Sequence, residues 1–302
     1  MARPIPSQRG ALAALILLTL IWSYNWIVMK QVLRYIGPFD FSALRYALGT
    51  CVLFVALLIR HESLRPPPLL QTALIGVFQT AGFQALVQWA LVDGGAGKTA
   101  LLAYTMPFWV VLLAWVLFGE RPGWRLWLGL GVAAGGLVLV LEPWLGVGTA
   151  SSSALAIAGG VCWALGVLLS KRMFQRGGVS ALSLTAWQML IGAVVLVAVA
   201  AFVHEKPVEW STYLIGALAY NAILSSGLAW LMWSYVVARL PAHVAGLSSL
   251  VVPIAGIGFA WALLGERPSL FESIGIVLIA AALVIVTLRG TPRTDDRESA
   301  NR

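Results

Sequence analysis

From Ala11 to Leu288 the chain is a succession of long apolar stretches joined by connections of a few residues, and its carboxylates stay out of the middle of every stretch. About 20 apolar residues span the hydrocarbon of a bilayer as a helix. In that solvent each backbone N–H and C=O must find its partner inside the protein, and a lone stretch can do so only as a helix. Ten stretches qualify, over 11–29, 39–59, 69–92, 99–118, 124–141, 153–170, 180–203, 210–237, 244–264 and 270–288. Charged residues make up 11% of the chain, against roughly 25% in soluble domains, too few to cover a water-facing surface. The connections carry breaker residues such as Gly37-Pro38, Pro66-Pro67-Pro68, Gly94-Gly95 and Pro241. The predicted class is an all-α, multi-pass membrane protein whose main partner is the lipid bilayer.

The chain also repeats itself. Gly119-Glu120-Arg121-Pro122 returns as Gly265-Glu266-Arg267-Pro268, a shift of 146 positions. At that shift Pro107 meets Pro253, Ala114-Trp115 meets Ala260-Trp261, and Gly129 meets Gly275. Apolar matches are cheap in such a chain, but the polar tetrapeptide, the prolines and the tryptophan pair point to a duplicated unit. The predicted organisation is a short N-terminus (1–10), a first five-helix repeat (11–142), a second (150–289) and a polar, disordered tail (290–302). The first apolar stretch is read as a retained helix, because Trp22, Asn25 and Trp26 stand where a cleavage site would follow.

Charge sets the expected orientation. With the N-terminus cytoplasmic, only Lys30, Arg34, Lys98, Lys206 and Arg267 fall outside, while every other Lys and Arg except Arg45 falls inside. Both termini are then cytoplasmic, and the formal charge of +8 reflects orientation and attraction to anionic headgroups, with no nucleic acid required. Five helices per unit reverse the second copy relative to the first, so the repeats are expected to be inverted. Placing Trp22 on Trp163 also places Lys30 on Lys171, at opposite surfaces. Inverted repeats recur in secondary transporters, where two similar halves exchange conformations around a site near the midplane.

Two five-helix halves, each with a proline in its fourth helix followed by Gly-Glu-Arg-Pro and a glycine-rich fifth helix, resemble the drug/metabolite transporter superfamily, specifically its ten-helix EamA-type members. The resemblance runs from about Ala11 to Leu288, and its clearest motifs are the two tetrapeptides with Pro107 and Pro253. It implies export of amino acids, aromatic ones included, or of related small metabolites across a bacterial inner membrane by a monomer. Export of cationic drugs or other toxic metabolites, with or without proton coupling, is the neighbouring reading.

Candidate functional residues are the polar and aromatic groups inside the stretches. Trp22, Asn25 and Trp26 adjoin on helix one. Gln79 and Gln84 lie in helix three, Tyr104 in helix four, Trp163 in helix six, Tyr220 and Asn221 in helix eight, and Ser248 in helix nine. Together they would line a substrate tunnel; singly, each could equally be interhelical glue. Pro107 and Pro253 are candidate hinges, and Arg121, Arg267 and Arg45 candidate gates or, for Arg45, a substrate contact, although helix-end anchoring for the first two and snorkelling or structural pairing for Arg45 are the plainer expectations. The absence of a mid-membrane carboxylate argues against carboxylate-coupled proton antiport.

Other chemistry finds little support. Cys51 and Cys162 lie in apolar stretches and read as small buried hydrophobes. His61, His204 and His243 form no metal-ligand pattern, and no cofactor is called for. Gly94-Gly95-Ala96-Gly97-Lys98-Thr99 ends like a phosphate-binding loop but has Val92 where that loop needs glycine. An intramembrane enzyme is a distant alternative, since Ser225-Ser226-Gly227 has no visible base.

Overall fold

The computed structural model describes residues 8–145, 149–264 and 269–287. Among these, every regular element is a helix. In chain order they are α1 (Gln8–Gln31), α2 (Pro38–Ile59), α3 (Leu69–Asp93), α4 (Ala96–Phe118), α5 (Trp124–Leu141), α6 (Ala150–Arg176), α7 (Ala181–Phe202), α8 (Thr212–Arg239), α9 (Ala242–Ser248, then Val251–Leu264) and α10 (Leu270–Thr287). Eight helical spans of 22 to 28 residues are long and apolar enough to cross a membrane, and α9 and α10 add shorter apolar helices. The second Gly-Glu-Arg-Pro, with Arg267, and the tail lie outside the described residues. Large apolar side chains such as Ile16, Val55, Val116, Val194 and Val277 point outward. That apolar exterior belongs against lipid. Cys51, expected to be buried, is exposed on it, and Cys162 is half-buried.

Local chemistry ends the helices where the sequence turns polar. Gly37 and Pro38 open α2. Thr149, Ser180 and Ser211 accept the backbone N–H of Ser152, Ser183 and Leu214 at the starts of α6, α7 and α8. Gly119 closes α4 with a left-handed φ of 69°. The Glu120 N–H then reaches Ala114 O at 3.3 Å, a closure that favours glycine and is often followed by proline. The first Gly-Glu-Arg-Pro is thus a helix stop.

Four helices are irregular inside the bundle. α3 contains a π turn over Gly76–Gly82, and α8 contains one over Asn221–Leu228. α4 breaks at Tyr104-Thr105 and resumes at Met106, with Pro107 in the first turn where it need not donate. α9 breaks at Ser249-Leu250 and resumes at Val251, with Pro253 in the first turn of the resumed segment. Hydroxyl and backbone N–H of one residue converge on one carbonyl at each break: Thr105 donates both to Leu102 O and Ser249 both to Gly246 O, the hydroxyls at 2.7 Å. Such internal repair is what an interrupted helix needs in hydrocarbon.

The connections are tied across the bundle by charge. Lys30 Nζ donates to Leu91, Val92 and Gly94 carbonyls at 2.6, 3.2 and 2.9 Å, capping the C-terminus of α3. Lys171 Nζ does the same for α8 through Val237 and Leu240 at 3.2 and 2.7 Å. A cation at a helix C-terminus also meets the negative end of its dipole. Glu205 accepts from the Phe39 and Asp40 N–H groups at the start of α2. Its neighbour Lys206 donates to Leu33 and Arg34 carbonyls in the 3-10 turn that follows α1. Burial pushes the Glu205 carboxyl above the usual range, and the two backbone donors pull it partly back.

Small residues set the closest approaches. A Cβ on Gly49 would stand 2.9 Å from Ser226 Cβ, and one on Gly192 would collide with Thr80. α5 and α10 meet at Gly136 and Gly275, where a Cβ on Gly136 would lie 2.8 Å from Gly275 O, while one on Gly135 would meet open space. Gly136→Ala should therefore cost about 1–3 kcal/mol by overpacking, whereas Gly135→Ala should cost nothing and gain about 0.5–1 kcal/mol of helix propensity. Apparent Tm of the two variants in detergent checks the pair, and equal effects would contradict this packing.

Candidate functional site

At the centre of the bundle Trp22, Asn25, Trp26 and Met29 of α1 face Arg45 of α2, Phe83, Gln84 and Val87 of α3, Tyr104 of α4, Trp163 of α6 and Trp230 of α8. They enclose a cavity of only about 30 Å³, room for a few waters at most. The wall is aromatic. Trp22 lies 5.7 Å from Trp163 and 5.2 Å from Trp230, both edge-on, and Tyr104 meets Trp163 at 5.4 Å. Edge-to-face pairing at these distances stabilises beyond simple burial. Trp233 supports the cluster from behind, 5.3 Å from Trp163.

Polar groups are threaded through that wall. Trp230 Nε1 donates to Tyr46 Oη at 3.0 Å, and Tyr46 in turn donates to Gln84 Oε1 at 3.0 Å. Trp22 Nε1 donates to Ser225 O at 3.2 Å in the π turn of α8. Arg45 is 2% exposed and does not snorkel; its Nε and Nη2 donate to the Ser226 and Ser225 hydroxyls at 3.1 and 3.3 Å. Its guanidinium carbon sits 4.9 Å from the Tyr46 ring centre. Asn25 Oδ1, Arg45 Nη1, Gln84 Nε2 and Trp163 Nε1 are buried without a partner. Native proteins rarely leave such atoms unpaired, so four on one cavity wall is unusual.

The sequence-predicted residues divide accordingly. Trp22, Asn25, Trp26, Gln84, Tyr104 and Trp163 meet at the cavity together with Arg45. Gln79, Tyr220, Asn221 and Ser248 do not line it. Gln79 accepts from Ser170 at 3.4 Å and packs on Gly166. Tyr220 donates to Ile21 O at 2.6 Å, and Asn221 Nδ2 to Ala217 O in its own helix. Ser248 is buried just before the break in α9. Met29, Phe83, Val87 and Trp230 were missed. Trp230 could have been found, since it is the counterpart of Gln84 at the shift of 146.

Larger cavities flank the centre at either end. One of about 490 Å³ is lined by Glu120, Arg121, Arg125, Lys171, Arg172 and His243 among apolar residues of α4 and α10. The other, about 640 Å³, lies between Lys30, Arg34, Trp89, His204, Glu205 and Lys206. A membrane-embedded helical bundle with a closed polar and aromatic centre between two open vestibules is the architecture of a solute transporter.

The comparisons with known proteins agree. The model of the EamA-like transporter family matches residues 8–142 and again 151–288, and the chain belongs to that family. It is a multi-pass membrane transporter of the bacterial inner-membrane kind, not an enzyme. The chain is 26% identical over 280 residues to the uncharacterized transporter YoaV of Bacillus subtilis, covering 90% of this chain and 95% of that protein. It is 26% identical over 299 residues to a protein of Streptantibioticus cattleyicolor named a "Probable terminal-alkyne amino-acid exporter", covering 97% and 98% of the two chains. A solved crystal structure with 22% identity shares the fold at a TM-score of 0.75, over 93% of this chain and 98% of the other.

Tyr46 joins two halves of the cavity wall, which makes it the sensitive point of the framework. Tyr46→Phe would leave the Trp230 N–H and Gln84 Oε1 buried and unpaired, costing about 1–3 kcal/mol. Tyr24→Phe, at a half-exposed ring with no hydrogen bond to the cavity, should leave the apparent Tm unchanged.

Proposed function

We propose that this protein exports amino acids, aromatic ones included, or related small metabolites, alternating access to the central cavity between its two vestibules. The observation that carries the reading is the closed aromatic cavity with unpartnered Asn25, Arg45, Gln84 and Trp163 atoms on its wall. A ligand with both polar and apolar parts would satisfy them. The relative from Streptantibioticus cattleyicolor, named for amino-acid export, supports the substrate class.

The architecture behind it is ten transmembrane helices in two inverted repeats, 11–142 and 150–289, with both termini cytoplasmic. Matched contacts support this. Lys30 caps α3 and Lys171 caps α8. Gly49 packs on Ser226 in the π turn of α8, and Gly192 on Thr80 in the π turn of α3. Glu205 holds the start of α2, while Glu62 accepts the Ser180 hydroxyl at the start of α7. On this reading the vestibule with Arg121 and Lys171 opens to the cytoplasm and the one with Lys30 and Glu205 opens outward. Pro107 and Pro253 flank the breaks about which α4 and α9 would flex, and Arg121 is a cytoplasmic gate with Arg267 as its outer counterpart. The protein acts as a monomer.

Among the described residues no Asp or Glu lines the central cavity, which favours transport without a coupling carboxylate. Liposomes loaded with unlabelled amino acids should accumulate the labelled form several-fold over protein-free liposomes, equally with and without a pH gradient. No flux for any amino acid would sink the substrate assignment, and strict dependence on the gradient would sink the uncoupled mechanism.

A further inference from the structure

We infer that Arg45 is the carboxylate-recognising group of the central cavity, so that transported molecules carry a carboxylate and compounds that are purely cationic are excluded. This rests on the transport reading and narrows its substrate class. Arg45 keeps its charge when buried, since guanidinium does not deprotonate in proteins. Its hydrogen-bond partners are two neutral serine hydroxyls, and Nη1 has none. The ion pair seen among the described residues joins Arg60 to Glu62 at the surface and does not involve it. A fully buried cation without an anion is costly, and guanidinium matches carboxylate in a two-pronged geometry. The charge is therefore placed for an anion that the rest of the cavity lacks.

The neighbouring groups fit the same ligand. Tyr46 engages Gln84 Oε1, which leaves the Nε2 end as a second unpartnered donor on the cavity wall. Two donors suit two carboxylate oxygens. The unpartnered acceptor there is Asn25 Oδ1, on the same helix as Trp22 and Trp26, and an amide oxygen beside aromatic faces suits an ammonium group. An α-amino acid would use both sets, whereas an anion without an amine would use the first.

An independent observation comes from the vestibule of about 490 Å³, where Arg121, Arg125, Lys171 and Arg172 stand against Glu120 as the one carboxylate of its wall among the described residues. A cleft lined by one sign of charge concentrates ligands of the opposite sign. A bare organic cation would be disfavoured at the mouth and again at Arg45, despite the indole rings.

The test uses proteoliposomes of the full chain and competition against counterflow of labelled L-phenylalanine and L-leucine. The competitors are the unlabelled acids, their amides, and 3-phenylpropionate. In the wild type the acids and 3-phenylpropionate should compete, and the amides should be at least about tenfold weaker. Arg45→Gln should bring acid and amide to within about twofold of each other, and Arg45→Lys should restore part of the preference. A role for Arg45 in packing alone would change stability without changing that ratio. Amides that compete as well as acids in the wild type, or an acid preference that survives in a folded Arg45→Gln variant, would overturn the inference while leaving transport standing. If Arg45→Gln fails to fold, the wild-type acid-to-amide ratio and Arg45→Lys decide. No counterflow of either amino acid would overturn the transport reading and this inference with it.

Discussion

The edge-on meeting of Trp22 with Trp163, 5.7 Å between ring centres, is the contact around which the rest of the bundle is arranged. The two indoles occupy matching places in α1 and α6, each followed at the same spacing by the lysine that caps a partner helix, Lys30 or Lys171. In an arrangement with a local two-fold axis, counterparts touch one another only where the axis passes. The proposed axis therefore runs through the aromatic cavity, and the residues on its wall come from both halves. Rotating one half against the other would change that wall more than any other surface of the protein.

Lipid supplies little force to hold such a centre together, because its chains are as apolar as leucine. Tight contacts at Gly49, Gly136, Gly192 and Gly275 and hydrogen bonds between helices supply it instead. The bonds are unevenly shared. The ends of the helices are capped by Lys30, Lys171, Glu205 and Lys206, whereas the centre keeps unpartnered donors and an acceptor. Satisfied ends and an unsatisfied middle are what a bundle needs if its middle is to exchange bonds with a passing solute. The π turns in α3 and α8 and the breaks in α4 and α9 lie at that level, so the backbone is least regular where the side chains are least paired.

The sequence was most legible where hydrocarbon acts alone. Helix positions follow from apolar length, and Gly119 and Pro122 mark the end of α4. α6 was placed at 153–170 but runs to Arg176, because Lys171 stays helical while its amine caps α8, a tertiary tie that hydropathy does not register. The π turns were illegible for a similar reason, since they form where Thr80 and Ser226 meet glycines of other helices. Trp22, Asn25 and Trp26 could be picked out by helical spacing, and Trp163 by the repeat. Gln79 and Asn221 look no different in sequence from Gln84, yet Ser170 and Ala217 absorb them into the framework. For Arg45 the sequence left snorkelling and structural pairing open, and the Ser225 and Ser226 hydroxyls hold it inside.

The central claim is that the two vestibules open reciprocally around a closed middle. With Cys51 and Cys162 replaced, a single cysteine at the half-buried Ala242 reports the vestibule beside Lys171, and one at Leu33 reports the vestibule beside Lys30. Alkylation by a membrane-impermeant maleimide should reach the first from the cytoplasmic side and the second from the outer side. Adding L-phenylalanine should slow one reaction and speed the other. Both rates moving in the same direction, or both sites reacting from one side of the membrane, would contradict the account.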